Sequence, residues 1–246
     1  MSTAELAFTT ATFILAGCVK GGIGLGLPTI AVGLLGVVMA PAQAAALLVI
    51  PNLVTNGWQI ATGPAFRGIL IRIWPMLAGI CAGTWAGAGL LEQQKGGSAT
   101  FWLGVALIAY AVIGLKAAKL RVPPRLDPWL SPVVGFATGV VTAATGVFVL
   151  PAVPYLQALG FDRDELVQAL GISFIVSTLA LSVGLVGAGT LDWTVAKASL
   201  LALVPALAGM ALGQAVRARI SPAAFKLCFF TGLLALGTYL VVRTLA

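Results

Sequence analysis

From residue 21 to residue 66 the sequence contains no charged side chain, and further charge-free runs cover 73 to 91, 96 to 115, 128 to 161, 166 to 191, 198 to 216 and 227 to 242. A soluble domain carries roughly 25% charged residues. This chain of 246 residues carries 9%, against 60% hydrophobic. Several of the runs reach the ~20 residues that a helix needs to cross a bilayer. The chain therefore reads as an all-α integral membrane protein.

The formal net charge of +7 does not point to nucleic acid, because the Lys and Arg residues are spread through the loops of an apolar chain and form no basic face. Histidine is absent, which removes the commonest general base and metal ligand and leaves most hydrolase and metalloenzyme schemes without parts. Cys18, Cys81 and Cys228 lie in apolar surroundings without CxxC spacing, and are expected as buried reduced thiols. The first apolar helix follows "MSTAE" with no basic n-region or clear cleavage pattern, and so reads as a retained span.

The chain repeats itself. "PMLAGICAG" at 75 to 83 matches "PALAGMALG" at 205 to 213, an offset of 130; Gly17 and Gly24 match Gly139 and Gly146 at an offset of 122; Gln43 pairs with Gln168. Each half then has five pieces. The first half predicts helices near 5 to 19, 28 to 39, 41 to 62, 69 to 91 and 98 to 118. The second predicts them near 129 to 144, 150 to 159, 164 to 189, 193 to 215 and 222 to 243. The expected division is a first repeat at 1–122 and a second at 128–246, forming one transmembrane domain with a cytoplasmic linker near 116–128.

Cytoplasmic loops are enriched in Lys and Arg, so the orientation of the halves can be scored. If the first two pieces of each half form a broken or re-entrant hairpin, Arg67, Arg72, Lys116, Lys119, Arg121, Arg125, Arg163, Arg217, Arg219 and Lys226 fall inside, and only Lys95, Lys197 and Arg243 outside. If they form single crossings the bias weakens. The expected architecture is about ten membrane segments in two inverted five-segment repeats, a recurring plan of secondary transporters.

Between the first two pieces stands "GCVKGGIGLGLPTI", residues 17 to 30. Each glycine weakens a helix by about 1 kcal/mol relative to alanine, so Gly21, Gly22, Gly24 and Gly26 predict a stop, and Pro28, which suits a first helical turn, predicts a restart. Irregular backbone at membrane depth needs protein or a water-filled cavity around it. Helix N-termini with exposed N–H groups favour an anion, and Lys20, costing at least ~2.5–3.5 kcal/mol near mid-membrane, favours one too. The equivalent break, "TAATGVFVLP" at 142 to 151, puts Thr142 at the position of Lys20 and adds Thr145 and Gly146. Brought together, the two breaks would form one anion pocket. The plainer alternative is that these glycines serve close helix packing and that Lys20 snorkels to an interface. For Gly79, Gly83 and Gly87, and for Gly209 and Gly213, packing is the preferred reading.

Asn52, Asn56 and Gln59, at i, i+4 and i+7, share one helix face. They line either a cavity or an interhelical contact. Ser173 and Ser177 stand in the matching helix, with Ser177 aligned to Asn52. Gln43 and Gln168 read as capping or loop-anchoring residues. All seven acidic residues, Glu5, Glu92, Asp127, Asp162, Asp164, Glu165 and Asp192, lie at segment ends or in loops. A proton relay inside the membrane is thus not evident.

"KGGIGLGLPTIAVGLL", "LLVIPNLVTNGWQ" and the duplicated "P-LAG---G" element resemble the TauE/SafE sulfite exporter family, also called the 4-toluene sulfonate uptake permease family. The resemblance covers nearly the whole chain. It implies a bacterial inner-membrane protein that exports sulfite or an organosulfonate such as sulfoacetate, and it carries the family motif onto Lys20, Gly21, Gly22, Gly24, Gly26 and Pro28 and onto Asn52, Asn56 and Gln59. An anion channel or a cation-coupled uptake permease are the alternatives. No enzyme activity, cofactor or metal is expected. The expected partners are a small anionic substrate and the lipid bilayer, with a homodimer allowed and nucleic acid excluded.

Overall fold

The computed structural model describes residues 3–88, 90–93, 98–116, 121–123, 125–217 and 222–245. Lys95, Lys119 and Arg219 lie outside the described residues. Every regular element among them is a helix: α1 (Thr3–Ile23), α2 (Leu27–Leu35), α3 (Pro41–Thr62), α4 (Phe66–Ala86), α5 (Leu90–Gln93), α6 (Ser98–Lys116), α7 (Asp127–Thr145), α8 (Ala152–Ala158), α9 (Arg163–Gly187), α10 (Trp193–Arg217) and α11 (Pro222–Leu245). Seven of them, α1, α3, α4, α6, α9, α10 and α11, are long and apolar enough to cross a membrane. α7 has the length of α6, but with an aspartate, two prolines and three threonines it is less apolar than these seven.

The boundaries follow local chemistry. Pro41 starts α3 in a position where its missing N–H costs nothing, and Asp162 with Glu165 forms a reciprocal capping box at the start of α9. The predicted helix at 69 to 91 instead ends at Ala86, because Gly87 caps it with its N–H on the Gly83 carbonyl, and α5 follows as a separate turn.

Glycines set the packing. Gly17 and Gly21 of α1 lie over the backbone carbonyls of Ala206 and Met210 in α10, while Gly209 and Gly213 lie over those of Ile14 and Cys18. Positions advance together, so α1 and α10 run parallel. In the same way Gly135 and Gly139 of α7 lie over Met76 and Ile80 of α4, and Gly79 and Gly83 over Pro132 and Phe136. The packing reading of Gly79, Gly83, Gly209 and Gly213 is borne out, and Gly87 lies against the Ala143 methyl. Close approach of this kind is how helices associate where lipid removes the hydrophobic drive.

Two further pairs run in opposite directions. Gln168 of α9 bonds Ile60 of α3 while Thr178 bonds Asn52, and Gly104 of α6 meets Gly237 of α11 while Gly114 meets Phe230. α2 turns back along α1: Gly26 folds over Val19, and Ile30 and Leu34 share a groove with Val19 and Leu15.

Gln43 is exposed, whereas Gln168 is fully buried and ties down the α3–α4 connection. It donates to the Ile60 carbonyl at 2.8 Å and accepts the Ala65 N–H at 2.9 Å. Gln168→Leu is expected to cost about 1–3 kcal/mol for the groups left unpaired, read as a lower unfolding temperature in detergent.

Burial does not follow the apolar pattern. All six tryptophans, Trp58, Trp74, Trp85, Trp102, Trp129 and Trp193, are exposed, as interfacial belts are. Cys228 is exposed and Cys18 and Cys81 are half-buried, against the expectation of buried thiols. An apolar neighbourhood on a membrane helix means contact with protein or with lipid, and only packing tells which.

Candidate functional site

The helix α1 runs past Lys20 to Ile23, and the chain breaks over Gly24 to Gly26 before Pro28 restarts it in α2. Gly24 and Gly26 have φ of 81° and 105°, a left-handed backbone that L side chains rarely adopt. The predicted stop and restart are therefore present, one turn later than the α1 boundary expected. Gly21 and Gly22 lie inside the helix: Gly21 faces the Met210 carbonyl and Gly22 lies beneath the ring of Phe225. Packing, and not an approaching ligand, explains why neither carries a side chain.

Lys20 is 2% exposed. It does not snorkel. Its ammonium donates to Asn56 Oδ1; Asn56 Nδ2 donates to the Asn52 carbonyl and to Asn52 Oδ1, both at 2.8 Å; Asn52 Nδ2 donates to Thr178 Oγ1 at 2.5 Å; and the Thr178 hydroxyl donates to the Phe174 carbonyl at 2.7 Å. One turn further along α3, Gln59 Nε2 donates to the carbonyl of Gly24 at 2.8 Å. The three carboxamides thus form a line that starts at the first break and crosses to α9. Among the described residues Lys20 is the single buried charged side chain.

An ammonium has three donors, and Asn56 takes one of them. Among the described residues no carboxylate is bonded to it. Gln59 Oε1 is also buried without a partner. The arrangement offers an ammonium with open donors beside a backbone break and, among the described residues, no carboxylate that would hold a cation.

The second break is built differently. Gly146 has φ of 72° and caps α7 through its N–H on Thr142. Thr142 and Thr145 donate to the carbonyls of Thr138 and Val141, each at 2.7 Å, and Thr145 accepts the Val147 N–H at 3.2 Å. Their hydroxyl protons are spent on their own helix. Val147, Phe148 and Val149 that follow are buried, with Phe148 edge-on to Phe174 at 5.3 Å.

The two breaks do not meet. A methyl group on Gly24 would touch Val167 and Gln59, near the start of α9 and the end of α3; one on Gly146 would touch Ala45 at 3.2 Å, near the start of α3. Gln59 and Ala45 are fourteen residues apart on one helix, about 21 Å at 1.5 Å per residue. Because α3 and α9 are antiparallel, the opening turns against which the breaks pack lie at opposite ends of the pair. Asn52, seven residues from each, stands midway. The expectation of one pocket shared by both breaks is corrected to a line of polar groups running from the first break to the middle. The packing also moves the alignment: Gly17 and Gly21 correspond to Gly135 and Gly139, an offset of 118, so that Lys20 corresponds to Thr138 and not to Thr142.

Ser173 and Ser177 are fully buried and without partners. Ser177 stands about 100° around the helix from Thr178, so it is Thr178 that meets Asn52, and among the described residues no hydrogen bond joins either serine to the carboxamides. Thr178 was missed because a one-residue difference between aligned repeats turns a helix face away. The i, i+4, i+7 spacing of Asn52, Asn56 and Gln59 carried the signal that something polar must face them.

Residues 9–240 match the family model described as Sulfite exporter TauE/SafE. No curated protein and no solved structure matches.

Proposed function

Because the chain belongs to the sulfite exporter TauE/SafE family, a family of membrane transporters, we propose that it exports small sulfur-containing anions, sulfite or an organosulfonate such as sulfoacetate, across the bacterial inner membrane. The observation that carries this reading is the buried Lys20, held by Asn56 and left with open donors beside the first break. A sulfite or sulfonate oxygen fits those donors, and its charge offsets the cost of burying the ammonium. Asn52, Asn56, Gln59 and Thr178 mark the path from there toward the centre of the bundle.

The proposed architecture is a pair of inverted repeats, 1–122 and 128–246. It is supported by the directions of the helices. α3 and α9 are equivalent in the repeat and antiparallel, as are α4 and α10: α4 runs with α9, with Arg72 at Leu159 and Thr84 beside Leu181, and α10 runs with α3, with Ser199 on Leu47 and Met210 level with Lys20 and Asn56. The basic residues Arg67, Arg72 and Arg163 gather at one end, where Arg72 bonds the Leu159 carbonyl at 2.9 Å and pairs with Asp127 at 3.5 Å. That end is taken as cytoplasmic.

Export needs no proton relay, since an inside-negative potential drives an anion outward by ~2.3 kcal/mol per charge per 100 mV. Protein reconstituted in liposomes is expected to carry sulfite and small sulfonates saturably, with counterflow, and faster than sulfate or carboxylates, at a rate that follows an imposed voltage. Equal flux of all these anions, or flux indifferent to voltage, would overturn the proposal.

A further inference from the structure

Beside the first break, at the basic end of the bundle, lies a cavity of about 420 Å³ between α6, α9 and α11. Its wall includes Tyr110, Arg163, Leu166, Val167, Phe225 and Lys226. Arg163 and Lys226 are exposed, neither is in an ion pair among the described residues, and Lys226 rests over the Phe230 ring at 5.8 Å. Asp162 and Asp164 flank Arg163 in sequence but do not line the cavity, and Asp162 and Glu165 are engaged in the α9 cap. Tyr110 is 2% exposed, and its hydroxyl is buried without a partner. Gln157 is the other polar side chain in the wall, and the rest of the lining is apolar.

This cavity and the Lys20 network share a wall. Gly22, Ile23 and Leu25 line the cavity. Val167, another lining residue, stands 3.2 Å from where a Gly24 side chain would begin, and the Gly24 carbonyl is the one that Gln59 holds on the other side. The backbone of the break thus lies both in the cavity wall and beside the Lys20 network.

We propose that this cavity is an anion-receiving vestibule: Arg163 and Lys226 gather a small sulfite- or sulfonate-type oxyanion from the basic end, Tyr110 offers it a hydroxyl, and the glycine break hands it to Lys20. The inference rests on the transport reading above. Two unpaired cations around a largely apolar recess focus field into it and raise the local anion concentration, while no carboxylate lines the wall to attract a cation. Phe225 closes the side toward a separate apolar groove lined by Leu15, Cys18 and Leu34, which keeps the anion from the lipid.

The test uses the full chain with Cys18, Cys81 and Cys228 changed to Ser and Leu166→Cys as a reporter in the vestibule. Rates of modification are compared for sulfonatoethyl methanethiosulfonate and its trimethylammonium counterpart. The ratio of anionic to cationic rates is expected to fall about tenfold or more in Arg163→Gln/Lys226→Gln, and partly in each single variant should the double fail to fold. The KM for sulfite from this side is expected to rise by a similar factor with Vmax within about twofold. A ratio unchanged to within about twofold in every folded variant overturns the vestibule, even where the parent protein carries sulfite. A fallen ratio in a protein that carries no anion supports the vestibule and defeats the transport reading instead.

Discussion

Lys20→Met is expected to abolish anion flux and leave the protein folded. The ammonium is the one buried charge among the described residues, and removing the charged partner of a buried ion contact costs about 2–5 kcal/mol. At 1.4 kcal/mol per factor of ten, flux at subsaturating anion should drop by at least about thirtyfold. Stability should move the other way or not at all. The substitution strips the donor from Asn56 Oδ1, at about 1–3 kcal/mol, but it also removes a charge whose place in the membrane costs at least ~2.5–3.5 kcal/mol, while Asn56 keeps its own bonds to Asn52. Paired measurements on one preparation, thermal unfolding in detergent and sulfite uptake in liposomes, separate the two effects. Retained transport would mean that the ammonium serves packing alone.

A comparably large effect, of the opposite kind, is expected at the helix contacts. Gly139 faces the Ile80 carbonyl and lies so close that a Cβ would stand 2.5 Å from the Thr84 nitrogen and 2.8 Å from the Gly83 carbonyl carbon. These are backbone atoms of a packed helix and cannot rotate aside as a side chain would. Gly139→Val should therefore force α7 from α4 and cost about 3 kcal/mol or more, the upper end of overpacking penalties. Gly21→Val should do the same to α1 and α10, where the obstacle is the Met210 backbone. Gly57→Ala and Gly184→Ala are the controls, since nothing lies within 4 Å of a methyl group at either place. The yield of monodisperse protein and its unfolding temperature should collapse for the valines and hold for the alanines. If the Gly21 variant stayed folded and lost only transport, its glycine would belong to the anion site after all.

Much of the site was legible because lipid makes polar residues expensive. A lysine, three carboxamides on one face and a cluster of glycines have no cheap place in an apolar chain, and Lys20, Asn56 and Asn52 do form one connected network, with Gln59 on the Gly24 carbonyl beside it. The glycines were less legible. Gly24 and Gly26 take left-handed backbone and Gly21 and Gly22 take helix contacts, yet all four look alike as letters, since one residue type answers both the need for unusual φ and the need for close approach.

Distance was not legible at all. The matching of Gly24 with Gly146 pointed to two breaks, but these stand at opposite ends of the α3–α9 pair, and only the neighbours of Gly24 (Val167) and of Gly146 (Ala45) reveal the separation. Thr178 was hidden for a similar reason: the pairing of two helices is set by how their ridges seat, and a shift of one residue rotates the facing side chain by about 100°. By itself the sequence determined that the chain lies in a membrane, roughly where its helices begin and end, and that Lys20 needs an unusual partner, because each of these follows from the local cost of charge, glycine or proline in apolar surroundings. The tertiary structure alone decided which polar groups meet, which glycines face backbone and how far apart the breaks stand, because those depend on the direction and register of helices packed against each other, quantities that no single helix encodes.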